Sequence, residues 1–361
     1  MSNKRILIFS LAYYPMIGGA EIAVKEITDR IPSIEFDIVT LRFNKEHLRE
    51  EKIGNCMIYR INTSKTLYPF KALFLAIKLH KVRSYDAIWA IMANWAGFAA
   101  LFFKYFHPSI PYILTLQEGD PIEYIENKVR FIYPLWKRIF TYADKVQAIS
   151  TFLAHWAKNV GFKEEVEIIP NGVDIERFKI KDSRFKNSLI TTSRLVEKNG
   201  IKDLIESIKY LPQNIKLTIV GSGPLESELK HHSRILNLES RIKFLGHIPH
   251  NDLPEHLHEA DIFIRPSLSE GFGVSFVEAM AAGLPVVATQ VGGIVDFLKN
   301  GETGLFCEVN NPKSIADKVM EYINNPELVS KVVENARKMV EEKYDWDLIA
   351  KEMKMKVFDK V

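Results

Sequence analysis

Cysteine is scarce in this chain: Cys56 and Cys307 are the only two among 361 residues. They lie far apart, with no clustered spacing, which excludes a disulfide framework or a cysteine zinc site and fits a reducing cytosol. Long apolar runs are equally rare. AIWAIMANWAGFAALFF, from Ala87 to Phe103, passes 17 residues without a charge, at the short limit for a membrane-spanning helix. Asn94 and Gly97 interrupt it, and it reads as a strand (Ala87–Ala93), a loop and the start of a helix. No low-complexity tract or short-period repeat is visible. No stretch has the basic density or motif of a nucleic-acid binder. The opening MSNKR runs into ILIFSLAYY without a signal-peptide cleavage pattern and reads as a first strand.

What is present is ordinary for a globular chain: 47% hydrophobic and 26% charged residues. The length exceeds what one core usually serves, so two domains are expected. The net charge of +3 is uneven. Residues 1–170 hold 22 Lys and Arg against 17 Asp and Glu, and residues 171–361 hold 26 against 28.

Apolar strand-like runs alternate with helical segments throughout. In the first half these are KRILIFSLA, GGAEIAVKEITDRI, EFDIVTLRF, YDAIWAIMA, YILTLQ and DKVQAIS. In the second they are SLITTSR, GIKDLIESIKYL, IKLTIVG, LESELKHHSRIL, RIKFLG, DLPEHLHEA, DIFIRPS, SFVEAMAAG, PVVAT and GLFCEV. This alternation predicts βαβ units and parallel sheets, hence an α/β chain of two doubly wound domains. IIPNGVDIERF (Ile168–Phe178) reads as the linker, and the tail from Tyr344 reads as helical. Ligands bind at the carboxyl ends of strands in such sheets, so the expected site is a cleft between the domains.

Several motifs fall at strand ends. Gly18-Gly19-Ala20-Glu21 opens the first helix, either as a close approach for an anion or as a plain tight turn; it is neither GxGxxG nor a Walker loop. Arg194 and Lys198 follow the first strand of the second half, either as a diphosphate clamp or as solvated cations beside Glu197. Gly221-Ser222-Gly223-Pro224 makes a turn with Pro224 in the first turn of the next helix, either as a contact for a nucleotide or, the favoured reading, as the bend alone. In SEGFGVSFVEAMAAGLPVVAT, Ser275 and Glu278 are spaced as a capping box, which would make Glu278 a structural residue. The same stretch sets Glu270 and Glu278 around Gly271-Phe272-Gly273-Val274 at a helix start. There, backbone amides suit phosphate and the two carboxylates suit sugar hydroxyls. Asp345 and Asp347 match a D-x-D metal pattern, but the tail helix starts there and an N-cap role for Asp345 is favoured. His256 and His258 fall on different helix faces and do not suggest zinc.

Read together, PSLSEGFGVSFVEAMAAGLPVVAT, GGAE, IPNGVDIERF, TSRLVEKNGI, IVGSGPL, IKFLGHIPHNDLPEHLHEADIFIRPS and VGGIVDFLKNGETGLFCEV resemble the retaining glycosyltransferases of family 4. The match is dense in the second half and thinner in the first. The resemblance implies a GT-B fold: two Rossmann-like domains facing across a cleft. The acceptor-side domain would be 1–170, with the helix 344–361 packing back on it, and 171–343 would bind the nucleotide sugar. It implies that Gly18, Gly19 and Gly221 approach the donor and that Arg194 and Lys198 hold the leaving diphosphate without a metal. Glu278 would hold the ribose, and Glu270 the hydroxyls of the donor sugar. Gly271, Phe272, Gly273 and Val274 would lie beside that sugar, with His247 and Ile248 lining the base.

One departure stands out. Many relatives carry a histidine after the strand that here reads YILTLQEGDP; this chain has Gln117, Glu118 and Asp120, of which the two carboxylates, Glu118 and Asp120, are placed for an acceptor with no base identified. The implied activity is metal-independent, cofactor-free hexosyl transfer from a nucleotide-diphospho-sugar to a glycan, lipid-linked or small-molecule acceptor. The alternatives are an epimerase or hydrolase of the same donor, or a nucleotide-sugar-binding protein without catalysis. The aromatic and basic runs VRFIYPLWKRIF (Val129–Phe140) and YPFKALFLAIKLHKVR (Tyr68–Arg83) suit either core-facing helices with solvated lysines or peripheral contact with an anionic membrane from the cytoplasm.

Overall fold

A computed structural model describes residues 4–178 and 187–361. The leading residues 1–3, and residues 179–186 within the segment expected to bind the nucleotide sugar, lie outside the described residues. The chain divides into two compact units: Met1–Asn171 with Trp346–Val361, and Gly172–Asp345.

Among the described residues, the first unit is built on an eight-stranded sheet. Its strands are β1 (Lys4–Phe9), β2 (Ile34–Leu41), β3 (Glu50–Ile53), β4 (Cys56–Ile61), β5 (Ala87–Ile91), β6 (Tyr112–Leu116), β7 (Lys145–Ala148) and β8 (Val166–Ile168). The order is β3-β4-β2-β1-β5-β6-β7-β8, parallel except for the antiparallel β3–β4 pair. Ile6, Leu7, Ile8 and Phe9 of β1 are wholly buried. A strand apolar on consecutive positions is buried on both faces, as central strands of a parallel sheet are. The tail is part of this core. Trp346, Ile349, Ala350, Met353, Val357 and Phe358 are buried with β1, β2 and the helix Gly19–Asp29. The Phe358 ring lies 5.1 Å from Trp89 and 5.8 Å from Phe36, and the Lys4 ammonium donates to its carbonyl at 2.6 Å.

The β3–β4 hairpin is not anticipated by the sequence pattern. β3 is the polar edge EEKI, alternately exposed and half-buried, so it carries little apolar signal. The hairpin is fixed instead by Asn55, whose amide nitrogen donates to the carbonyls of Thr28, Ile31 and Ile34. The uncharged stretch from Ala87 divides into β5 and the helix Trp95–Phe106, with the Asn94 side chain capping that helix at the Ala96 amide, 2.8 Å.

The second unit carries β9 (Ser188–Thr192), β10 (Lys216–Val220), β11 (Ile242–Gly246), β12 (Ile262–Arg265), β13 (Val286–Thr289) and β14 (Leu305–Cys307). All are parallel, in the order β11-β10-β9-β12-β13-β14. Renumbered from β9, that is 3-2-1-4-5-6, the Rossmann order. The order reverses between β9 and β12, and the carboxyl ends of the strands at such a switch point are where open α/β sheets bind ligands. Pro224 does not occupy the first turn of the following helix: that helix is Glu226–Ile235, with Leu225 at its N-cap. The Glu226 amide is turned back onto the Gly223 carbonyl, so the chain is still in a turn at Pro224.

Candidate active site

The β9/β12 switch point gathers most of the residues that the sequence singles out. Arg194, two positions past β9, is exposed, and Lys198 is half-buried in the turn that follows. Their loop is fixed through its backbone. Leu268, beyond β12, donates its amide to the Lys198 carbonyl at 2.6 Å. Asn199 is buried and donates its side-chain amide to the Arg194 carbonyl at 2.6 Å. Gly221 lies against the same loop: a Cβ there would meet the Ser193 carbonyl oxygen at 1.9 Å, and its φ is +128°. Close packing against the Arg194 loop accounts for this glycine without a ligand.

Arg265, the last residue of β12, is a centre that the sequence reading missed. Its guanidinium donates through Nη1 to Ser275 Oγ at 2.7 Å and through Nη2 to Asn199 Oδ1 at 3.0 Å. Nη2 also forms an ion pair with Glu270 Oε2. Both charged side chains are about nine-tenths buried, with 10% and 11% exposed. A buried charge is tolerated where a partner and hydrogen bonds replace its water, and here three acceptors do so. The signal in the sequence is a lone arginine in the apolar strand DIFIRPS.

The main chain of Glu270 is also held. Its carbonyl accepts from the Gly293 amide at 3.0 Å. A Cβ on Gly292 would sit 1.9 Å from that carbonyl oxygen, so this approach needs glycine.

The capping box is not formed. The helix spans Val274–Ala281, and Gly273 is its N-cap, with no side-chain cap hydrogen bond. Ser275 therefore lies inside the first turn, where its hydroxyl takes the Arg265 bond, and it cannot cap. Glu278 Oε1 pairs with His250 Nε2 at 2.6 Å, and the carboxylate is buried. His250, on the loop after β11, is a second residue that sequence reasoning passed over; nothing in GHIPHND distinguishes it. Phe272 also departs from expectation. Its ring is 1% exposed and lies 5.3 Å from Phe297 and 5.6 Å from Tyr344, so it anchors the loop and offers a ligand only backbone. Gly271 and Gly273 are buried beside it, and Val274 is half-buried. Of the expected base-lining pair, His247 is exposed and Ile248 half-buried, on the same loop as His250. Gly273 leaves the start of this helix without a side-chain cap, and uncapped first-turn amides favour an anion.

The remaining candidates belong to the first unit. Gly18 is the N-cap of the helix Gly19–Asp29. Glu21 folds back onto that turn: the Gly18 and Glu21 amides favour its ionised form, but burial dominates and pushes its pKa up. Gln117 is buried, and its side-chain oxygen accepts from Asn171 at 3.2 Å, so it is spent inside the fold. Asp120 is half-buried. Glu118 is set by the end of β5, where Met92 takes a φ of +70°. The next residue, Ala93, donates its amide to Glu118 Oε1 at 2.5 Å, and the Gln117 amide donates to Oε2 at 2.9 Å. Burial nevertheless outweighs these donors and pushes the carboxyl up to about 7, with Asp120 adding to the rise.

Among the described residues, no group of three or more His, Cys, Asp or Glu is arranged to hold a metal ion, and no helix is long and apolar enough to cross a membrane.

Residues 173–339 match the family Glycosyl transferases group 1, and residues 17–177 match Glycosyltransferase Family 4. An uncharacterized glycosyltransferase of Methanocaldococcus jannaschii is 30% identical over 352 residues, 96% of each chain. The capsular polysaccharide biosynthesis glycosyltransferase CapM of Staphylococcus aureus is 27% identical over 256 residues, 65% of this chain and 67% of its own. Among solved structures, sucrose-phosphate synthase from Thermosynechococcus elongatus aligns with a TM-score of 0.85 at 20% identity, over 99% of this chain and 100% of that one. Anabaena HepE, solved in complex with UDP and glucose, aligns at 0.82 and 21%, over the same shares. At such identities the likeness to solved structures shows the fold, which is GT-B.

Proposed function

The chain belongs to the group 1 glycosyltransferases, and from that premise we infer how it carries out transfer from a nucleotide sugar. The reaction proceeds with retention and without a metal. Arg194 and Lys198 stabilise the departing diphosphate, Glu270 holds hydroxyls of the donor sugar, and Glu278 holds the ribose. The observation that carries this reading is the grouping at the β9/β12 switch point: two cations, a helix start and a buried, oriented carboxylate within one unit. Leaving-group charge grows as the glycosidic bond breaks, and fixed cations and dipoles aimed at it lower the barrier.

On the acceptor side we assign Glu118 a role, because its carboxyl, held by the Ala93 and Gln117 amides and pushed up to about 7 by burial, can exchange a proton near neutrality. The acceptor is a hydroxyl of a glycan, lipid-linked sugar or small molecule; relatives named for capsular polysaccharide synthesis favour the glycan. The free, buried thiols of Cys56 and Cys307 fit a cytoplasmic setting.

A peripheral membrane contact is supported by the helix Tyr68–Arg83. It exposes Phe70, Phe74 and Val82 together with Lys71, Lys78 and Lys81, all on one face at helical spacing. The helix contains no acidic residue, so an anionic lipid surface complements it.

The test is to incubate the protein with UDP-, GDP- and ADP-sugars and candidate glycan acceptors and to follow the anomeric signals by NMR. A product of the donor's own anomeric configuration is expected. An inverted product contradicts the retaining mechanism, and donor hydrolysis unaffected by any acceptor contradicts transfer.

A further inference from the structure

We propose that Arg265 is a positioning residue for the transfer, one that fixes the Glu270 carboxylate against the donor sugar. This rests on the donor-site reading above.

The fold does not need this arginine to bring its neighbours together. β9 and β12 are paired through Leu189 with Ile262 and Ile190 with Phe263. Beyond the strands, the Lys198 carbonyl holds Leu268, and the Glu270 carbonyl is held by Gly293. The loops are therefore placed by backbone. What the side-chain cluster adds is direction. Buried ion pairs are often replaceable by apolar residues at no loss of stability. Burying a charged pair at this point is therefore better explained by what it orients.

The geometry is that of a clamp. A guanidinium is planar, and its donors leave in fixed directions. Nη1 is committed to Ser275 and one Nη2 direction to Asn199, while the Phe276 ring lies 5.3 Å from the central carbon. With the plane fixed, Nη2 meets one carboxylate oxygen of Glu270, Oε2. Among the described residues that is the only oxygen of this carboxylate that a side chain engages, which leaves Oε1 for a sugar hydroxyl. A lysine keeps the charge but, as a point charge on a flexible stem, cannot hold this plane. Asn199 and Ser275 belong to the device as the groups that orient the guanidinium.

The test uses the full chain and the variants Arg265→Lys, Glu270→Gln, Ser275→Ala and the Arg265→Lys/Glu270→Gln double variant. UDP-glucose, GDP-mannose and ADP-glucose, each alongside its bare nucleoside diphosphate, are titrated calorimetrically, and turnover is followed with the sugar that binds. Because Glu270 faces the sugar, Arg265→Lys is expected to weaken nucleotide-sugar binding about tenfold. It is expected to lower kcat roughly ten- to a hundredfold, as small misplacements of a positioned group do. Affinity for the bare diphosphate should stay within about twofold. In the Glu270→Gln background the same change should cost less than about threefold, because the group it positions is already impaired. Loss of sugar and bare-diphosphate affinity in equal measure would indicate a loosened fold and overturn the proposal, as would wild-type turnover in Arg265→Lys. If Arg265→Lys does not fold, Ser275→Ala decides, since it frees Nη1 and keeps the charge. A several-fold loss confined to the sugar ligand supports the clamp, and no loss refutes it. Failure of the wild-type protein to bind any of the three sugars overturns the donor reading and this proposal with it; binding by wild type with unchanged variants overturns this proposal alone.

Discussion

Glu118 sets burial against backbone hydrogen bonds, and burial prevails, pushing the carboxyl from 4.5 up to about 7. Between those values the folded protein holds a proton that the unfolded chain has released. The stability linked to this group is thus complete below about 4.5 and is lost as pH rises through about 7. Denaturant titrations at pH 5 and pH 8 should show wild type losing up to roughly 3 kcal/mol relative to Glu118→Gln across that window; parallel pH curves for the two proteins would contradict the shift. Glu278 is tested differently. Its Oε1 is paired with His250, and Gln preserves that size and bond while turning one acceptor into a donor. Glu278→Gln is expected to weaken nucleotide-sugar binding roughly ten- to a hundredfold with a nearly unchanged Tm. Unchanged affinity by calorimetry would reduce Glu278 to a structural residue. The two glutamates and the two cations could be picked out in the sequence because their spacing brackets a helix start and a strand end. Their partners could not. Arg265 acquires meaning only once β9 and β12 lie side by side, and His250 only once its loop reaches the helix Val274–Ala281.

At the scale of elements, the sequence conveys strands best where they are buried on both faces, as β1 and β5 are. It conveys them poorly at edges, where β3 is polar and is held by Asn55 rather than by apolar contact. Helix starts show a similar limit. Ser275 and Glu278 have capping-box spacing, yet Gly273 takes the N-cap, because the loop that carries Glu270 must turn before the serine. The helix Tyr68–Arg83 carries the face proposed to meet a membrane: Phe70, Phe74 and Val82 are exposed together with Lys71, Lys78 and Lys81. Each basic residue near an anionic surface contributes about 1 kcal/mol. Replacing Lys71, Lys78 and Lys81 together by Glu should therefore lower binding to phosphatidylglycerol vesicles by roughly a hundredfold or more, as read by co-sedimentation. Equal binding by wild type and variant, or equal binding to neutral phosphatidylcholine vesicles, would contradict an electrostatic membrane contact.

For the whole molecule, the repeated alternation of strands and helices announces two doubly wound units, which the two largely parallel sheets bear out. Arg194 and Lys198, rather than a metal, are proposed to stabilise the leaving diphosphate. Both side chains sit in a loop whose backbone is fixed independently of them, so truncating either should leave the fold intact and cut kcat as well as raise KM. The most direct measurement is nucleoside diphosphate release from the cognate nucleotide sugar in excess EDTA, for wild type and for Arg194→Ala and Lys198→Ala. The wild-type rate is expected to be insensitive to EDTA, and kcat to fall roughly a hundredfold or more in each variant. A wild-type rate abolished by EDTA and restored by magnesium or manganese, or variants that keep the wild-type kcat, would contradict it.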